Sequence, residues 1–172
     1  MKLSEIIQSR PLTKDREPGS GGSWGIFRSP DSSGYIVKLF YSDDWYDEEI
    51  SGYEAVMNND NISYLASEHH PVTIVLDTED YQGIQDRPPS TKALIMPYLQ
   101  PPLWKHVGKF SDPATKEEFE LRGINYKEIE RNLEKAGLAS WEVSFFVNQE
   151  TYELKAIDFT PCKLPIVKEG DS

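Results

Sequence analysis

The sequence predicts an α+β fold with antiparallel strands, and two patterns support this prediction. Strand-like segments occur as neighbouring pairs joined by polar turns or loops, for example residues 24–28 and 34–40 on either side of a Pro-Asp-Ser-Ser turn. Helical segments stand between these pairs, whereas in parallel sheets single strands alternate with helices. The 172 residues, of which 38% are hydrophobic, are enough to bury a core.

The amino-terminal half begins with a short helical pattern in which Ser4 precedes Ile6 and Ile7. Further along, Ser42 followed by two aspartates is typical of a helix start, and the asparagine-rich run 58–61 ends that helix. We therefore predict, in order, a helix at 4–10, a loop at 11–22, strands at 24–28 and 34–40, a helix from 43 to about 57, and strands at 71–77 and 91–99.

The carboxy-terminal half contains the clearest amphipathic helical pattern of the chain, which ends at Gly137. Two consecutive prolines, Pro101 and Pro102, separate this half from the strands before it. The predicted elements are a helical turn at 103–107, helices starting near 112 and 125, and strands at 141–147 and 152–157.

Charge and composition limit the possible partners. The net charge of −11 argues against a nucleic acid, because binding a phosphate backbone needs a basic surface. A single nucleotide is compatible with this charge, since a few local cations and backbone amides suffice to bind it. The sequence has neither a signal-peptide pattern nor a membrane-spanning run, so we expect no membrane partner. We expect a cytoplasmic location, or delivery into a host cell by a secretion system.

A glycine-rich turn precedes the first predicted strand, and a lysine lies near the end of the second. Glycines let a backbone approach a phosphate closely, and a lysine on the next strand supplies the opposite charge. The candidate phosphate-binding residues are Gly21, Gly22, Ser23, Gly25 and Lys38. A lysine near a strand end is often a solvated edge charge, but the position of Lys38 after this turn favours phosphate binding.

In their order and spacing, these segments resemble the protein-kinase-like superfamily in a strongly reduced form. The resemblance implies a minimal protein-kinase-like fold with an amino-terminal segment at residues 1–22. Residues 23–100 would form an amino-terminal lobe with one helix and an antiparallel, five-stranded sheet. Residues 101–172 would form a reduced helical carboxy-terminal lobe.

The resemblance also implies partners for Lys38. Glu49, on the following helix, would form an ion pair with it, and Glu54 is the alternative. Asp158, at the end of the last predicted strand, would bind the Mg²⁺ ion that bridges the phosphates of ATP. The position after the Asp158-Phe159 pair holds Thr160 where the family has glycine.

The adenine of ATP would lie at the connection between the two lobes, beside Met96, Pro97 and Leu99. The bonds expected there use the Pro97 carbonyl and the Leu99 N–H, so the missing N–H of proline does no harm. Phe27 occupies the position that would cover the adenine from the glycine-rich side.

The catalytic loop of the family is not recognisable. Residues 138–144, where it would lie, contain no His-Arg-Asp motif, no aspartate and no following asparagine. Glu142 is the only acid there and the one candidate catalytic carboxylate, the alternative being an exposed strand residue. We also expect the residues after Thr160 to be too few for a peptide-binding platform.

Three functional hypotheses follow. The first is a pseudokinase-like module that binds ATP and Mg²⁺ and acts through a partner protein. The second is an atypical minimal protein kinase that transfers phosphate from ATP to a protein substrate, with Glu142 as an unorthodox base. The third is an adaptor protein that binds no nucleotide. The first is our prediction, and the other two stay open.

Overall fold

The computed structural model describes residues 1–8, 23–79, 81 and 87–162, which form helices and two antiparallel sheets. Short 3-10 turns lie at Ser63–Leu65 and Ser140–Glu142. The helices are α1 (Leu3–Gln8), α2 (Asp43–Met57), α3 (Pro113–Leu121) and α4 (Tyr126–Lys135). The strands are β1 (Ser23–Arg28), β2 (Tyr35–Phe40), β3 (His70–Thr73), β4 (Lys92–Pro97), β5 (Trp104–Lys109), β6 (Ser144–Asn148) and β7 (Leu154–Ile157).

The predicted α+β class with antiparallel strands is confirmed, but the predicted five-stranded sheet is wrong for the described residues. The first sheet has four strands in the order β1-β2-β4-β3. The predicted strand at 71–77 pairs with β4 only over His70–Thr73. Each of the four strand segments predicted within residues 23–100 forms one strand of this sheet, and no other described segment supplies a fifth; beyond β3, Val75 forms only an isolated parallel bridge with Lys2.

The second sheet, in the order β5-β6-β7, contains a strand that the sequence did not predict. Residues 103–107 were expected to form a helical turn, but Trp104–Lys109 are β5. Their backbone groups pair with β6 from Trp104 opposite Asn148 to Lys109 opposite Ser144. Long-range pairing with a strongly apolar strand therefore overrides the weak local helical pattern.

Helix α2 forms where the sequence predicted it. The Ser42 hydroxyl accepts a hydrogen bond from the Trp45 N–H, and two aspartates in the first turn favour the positive end of the helix dipole. Its buried face carries Gly52, Tyr53 and Val56. Because this face packs on the core, the rotation of α2 about its axis is fixed, and with it the direction in which the Glu49 side chain points.

Strand alternation divides the residues of β2 between two sides of the first sheet. Val37 and Leu39 are fully buried in a smaller core with residues of α1 and β1. Lys38 and Phe40 therefore face the opposite side, where the larger core begins. That core joins residues from both sides of position 100, among them Phe40, Tyr53, Phe145 and Phe159.

The predicted division at residue 100 stays a prediction. In the part of the chain that the structure describes, no helix combines the length and the apolar composition needed to cross a bilayer.

Candidate functional site

A cleft of about 750 Å³ lies between the two sheets. Strands β1, β2 and β4 and helix α2 line one side, and residues of β5, β6 and the end of β7 line the other. Ligand pockets for small molecules typically occupy about 300–1,000 Å³. The cleft is therefore large enough for a small organic ligand.

Lys38 is the central cation of this cleft and is only 8% exposed. Its Nζ lies 2.5 Å from Oε1 of Glu49 on α2 and 3.6 Å from Oδ1 of Asp158, which follows β7. An unpaired ammonium at this depth would be strongly unfavourable. Two consecutive elements, β2 and α2, and the distant end of β7 thus bring three charged groups together.

The two carboxylates and the burial of Lys38 act on its pKa in opposite directions. Burial alone would lower the pKa of the ammonium, but the charges of Glu49 and Asp158 outweigh burial and raise it. Lys38 is therefore charged throughout the neutral pH range, as an anion-binding group must be.

Glu49 has one hydrogen-bonding oxygen and one buried oxygen without a protein partner. Oε1 accepts the bond from Lys38, while Oε2 is buried and accepts no hydrogen bond from the described residues. Burial raises the pKa of the Glu49 carboxyl, and the attraction of Lys38 offsets this only in part. A buried acceptor without a partner is unusual in a folded protein and marks a place where a ligand or water could donate.

Asp158 adopts a backbone conformation that is uncommon for a residue other than glycine. Its φ of 64° lies in the left-handed region, which a non-glycine residue adopts at some conformational cost. The chain on either side is fixed, because β7 precedes Asp158 and the Thr160 carbonyl accepts a hydrogen bond from the Ala139 N–H. This conformation directs the carboxylate toward Lys38.

Helix α2 packs directly on the segment that carries Asp158. A Cβ atom added to Gly52 would lie 1.7 Å from the carbonyl oxygen of Phe159. Phe159 is fully buried, and its ring contacts Tyr53 edge to face with centroids 5.1 Å apart. Gly52 therefore allows the close approach that holds Glu49 and Asp158 on the same cation.

Part of the lining of the cleft is apolar. Ile26, Ile36 and Met96 line it from the first sheet, and Phe146 and Ile157 line it from the second. Pro97 at the end of β4 and the next two residues, Tyr98 and Leu99, also line the cleft. A flat, largely apolar group could be enclosed here between the two sheets.

A second ion pair borders the cleft from the carboxy-terminal side. Lys109 Nζ on β5 lies 3.5 Å from Oε2 of Glu142, and both residues line the cleft. Glu142 is in the 3-10 turn Ser140–Glu142, not in the predicted strand, because the strand begins only at Ser144. This turn is tied to the Asp158 segment through the bond between Ala139 and Thr160.

The structure differs from the sequence prediction in the glycine-rich turn. Gly21 and Gly22 lie outside the described residues. Ser23 lines the cleft, but Gly25 is in β1 beneath the ring of Phe27. The covering role expected for Phe27 is wrong, because its side chain is buried in the smaller core on the far side of the sheet.

The other predicted site residues, in contrast, all line the cleft: Lys38, Glu49, Asp158, Met96, Pro97, Leu99 and Glu142. Sequence reasoning missed Ile26 and Lys109. The alternation of β1 could have identified Ile26, since it must face the side opposite Phe27. Lys109 was not identified as a site residue, because the strand that carries it was predicted as a helical turn.

The donor groups of the cleft can be compared with the needs of a Mg²⁺ ion. Among the described residues, no three His, Cys, Asp or Glu side chains come together as a metal site. The Asp158 carboxylate, 29% exposed, thus fits Mg²⁺ only if phosphate oxygens and water complete the coordination. This is how Mg²⁺ commonly binds beside nucleotides.

Comparison of the chain with known proteins gives no match to a family model, a curated protein or a solved structure. The geometry of the cleft is therefore the basis for a functional proposal.

Proposed function

We propose that this chain is a reduced protein-kinase-like domain that binds ATP with Mg²⁺ in the cleft between its sheets and acts through a partner protein. The observation that carries the proposal is the position of Lys38 between Glu49 and Asp158. A buried ammonium held by one carboxylate and facing a second, more exposed one is suited to binding phosphate beside a metal ion.

The combined charges of Lys38, Glu49 and Asp158 are better suited to a phosphate with a bound metal ion than to a phosphate or a metal ion alone. Lys38 would donate to a phosphate oxygen, and Asp158, 3.6 Å from Lys38, would bind the metal on the same phosphate. When bound, Mg²⁺ would supply positive charge that offsets the negative charge of the phosphates. Glu49 keeps the ammonium in position from the buried side.

The apolar part of the lining of the cleft suits an adenine ring. Ile26 and Ile36 would lie on one face of the ring, and Phe146 and Ile157 on the other. Pro97 and Leu99 also line the cleft, and the Pro97 carbonyl and the Leu99 N–H would serve as partners for the polar groups of adenine. A ring stacked in this way is bound by burial of apolar surface and oriented by a few hydrogen bonds.

Thermal unfolding in the presence of nucleotide tests the proposal. We expect ATP with Mg²⁺ to raise the Tm of the full chain, by roughly 2–4 °C for each kcal/mol by which the ligand, at the concentration used, stabilises the folded state. ATP without Mg²⁺ should give a smaller shift, and Asp158→Asn should remove the difference between the two conditions. Asp47→Asn, in an exposed acid that pairs with Lys92 outside the cleft, is the matched control.

If no nucleotide raises the Tm of the wild-type chain at millimolar concentration, the proposal is wrong. An adaptor that binds no nucleotide is then the better explanation.

A second candidate function, phosphoryl transfer to a protein hydroxyl, is favoured by the presence of Glu142 in the same cleft. The hydroxyl oxygen would bond to the terminal phosphorus while the bond to the bridging oxygen of ADP breaks. The hydroxyl proton would pass to the Glu142 carboxylate.

Transfer of labelled phosphate from ATP to protein measures this activity. We expect Glu142→Gln to lower the rate by about 10²-fold or more while nucleotide binding persists. Glu130→Gln, which removes an acid paired with Lys116 on another face, should leave the rate unchanged. Absence of transfer to any protein, or full activity in Glu142→Gln, would exclude this role for Glu142.

A further inference from the structure

Lys109 enters the cleft because of a β-bulge. In a regular strand, Lys105 and Lys109 would lie on the same face, since they are four residues apart. The pairing of β5 with β6 shifts between His106 and Gly108, and Gly108 has a φ of 118° that favours glycine. Lys105 consequently pairs with Glu118 of α3, whereas Lys109 faces the cleft.

The two ammonium groups of the cleft occupy different depths. The Lys38 side chain is 9% exposed and the Lys109 side chain is 40% exposed. Lys38 therefore belongs to the inner part of the cleft, and Lys109 to its mouth. A nucleotide with its base against the apolar lining and its first phosphates at Lys38 would extend its terminal phosphate toward the mouth.

Because carboxylates outnumber ammonium groups in the cleft, a triphosphate needs a second cation in order to bind there. Among the described lining residues, Lys38 and Lys109 face four carboxylates, those of Glu48, Glu49, Glu142 and Asp158. The charge of Lys38 offsets the charges of the inner carboxylates, Glu49 and Asp158. A phosphate placed further out than Lys38 would be repelled by the Glu142 carboxylate unless the Lys109 ammonium binds that phosphate. Lys109 can exchange its exposed partner Glu142 for phosphate at little cost, since exposed ion pairs contribute little.

We propose that Lys109 binds the terminal phosphate of a nucleoside triphosphate and makes the cleft selective for triphosphate over diphosphate. This inference rests on the proposed nucleotide-binding function. It assigns to β5 a role in ligand specificity that the bulge at Gly108 makes possible. It also means that a bound triphosphate connects the two sheets, through Lys38 of β2 and Lys109 of β5.

Calorimetric titration of the full chain with ATP and with ADP, both with Mg²⁺, tests the inference. We expect the wild type to bind ATP more tightly than ADP. Lys109→Met should weaken ATP binding by about tenfold, the effect of losing one charge-assisted contact, and leave ADP binding unchanged. Lys109→Arg should retain the preference for ATP, because it keeps the charge.

Lys105→Met is the matched control, since it removes another lysine–glutamate pair from the same strand outside the cleft. It should bind both nucleotides like the wild type. If Lys109→Met changes ATP and ADP binding equally, or neither, the inference is wrong while the proposed function stands. If the wild type binds neither nucleotide, the proposed function itself fails.

Discussion

Lys38→Met is expected to abolish nucleotide binding and to destabilise the fold at neutral pH. Binding is lost because the variant removes the inner phosphate-binding cation of the cleft. Stability falls by about 3–5 kcal/mol, because Glu49 is left as a buried carboxylate without its partner. Urea unfolding and calorimetric titration of the same preparation measure the two effects.

The destabilisation should depend on pH in a defined direction. The raised pKa of Lys38 means that its contribution to stability is present at neutral pH and is lost only when the pH rises through that pKa, above the ordinary 10.5. The pKa of Glu49 is raised above 4.5 even beside Lys38, and without the ammonium it should rise further. The Lys38→Met variant then takes up protons when it folds. The difference between its free energy of unfolding and that of the wild type should therefore shrink as the pH falls from 7 toward 4.5.

Two further variants separate the roles of the ion pair. Lys92→Met, which removes an exposed lysine paired with Asp47 on the same sheet, should change neither binding nor stability appreciably. Lys38→Met combined with Glu49→Gln should recover much of the stability but none of the binding, because no buried carboxylate remains unpaired. Nucleotide binding that persists in Lys38→Met would show that the phosphate site has been assigned to the wrong residue.

Gly52→Ala is expected to destabilise the protein although alanine is the better helix former. In an ordinary helix interior this change stabilises by about 1 kcal/mol. Here the new Cβ would lie 1.7 Å from the Phe159 carbonyl oxygen, so α2 and the Asp158 segment must move apart. We expect a loss of about 3 kcal/mol in the free energy of unfolding, as for an overpacked core.

The same displacement should impair the cleft, because it separates Glu49 and Lys38 from Asp158. We therefore expect Gly52→Ala to reduce the Mg²⁺-dependent part of nucleotide binding at temperatures where the variant is folded. Ser51→Ala, an exposed change in the adjacent position of the helix, is the control and should be neutral or slightly stabilising. A stabilised Gly52→Ala variant would contradict the close packing of α2 on Phe159.

The sequence predicted the site best where local patterns determine side-chain direction. Alternation along β2 separates Lys38 from Val37 and Leu39, and the capped start of α2 fixes the helix that carries Glu49. Asp158 was recognised because it directly follows an apolar strand that comes after these elements in the sequence. These features depend on strand periodicity and helix capping, both of which are local.

The features that sequence reasoning missed depend on contacts between distant segments. The Trp104–Lys109 strand exists through its pairing with β6, and the side on which Lys109 lies depends on a bulge with no clear local pattern besides Gly108. Phe27 was assigned to the wrong side because the family resemblance was applied without the alternation of β1.

A crystal structure of the chain with Mg²⁺ and a non-hydrolysable ATP analogue would test the central claim most directly. We predict phosphate oxygens within about 3 Å of Lys38 Nζ, the metal on the Asp158 carboxylate, and the adenine between Ile36 and Phe146. A nucleotide bound elsewhere on the protein, or a cleft that stays without nucleotide at saturating concentration while Lys38 keeps its two carboxylate partners, would contradict it.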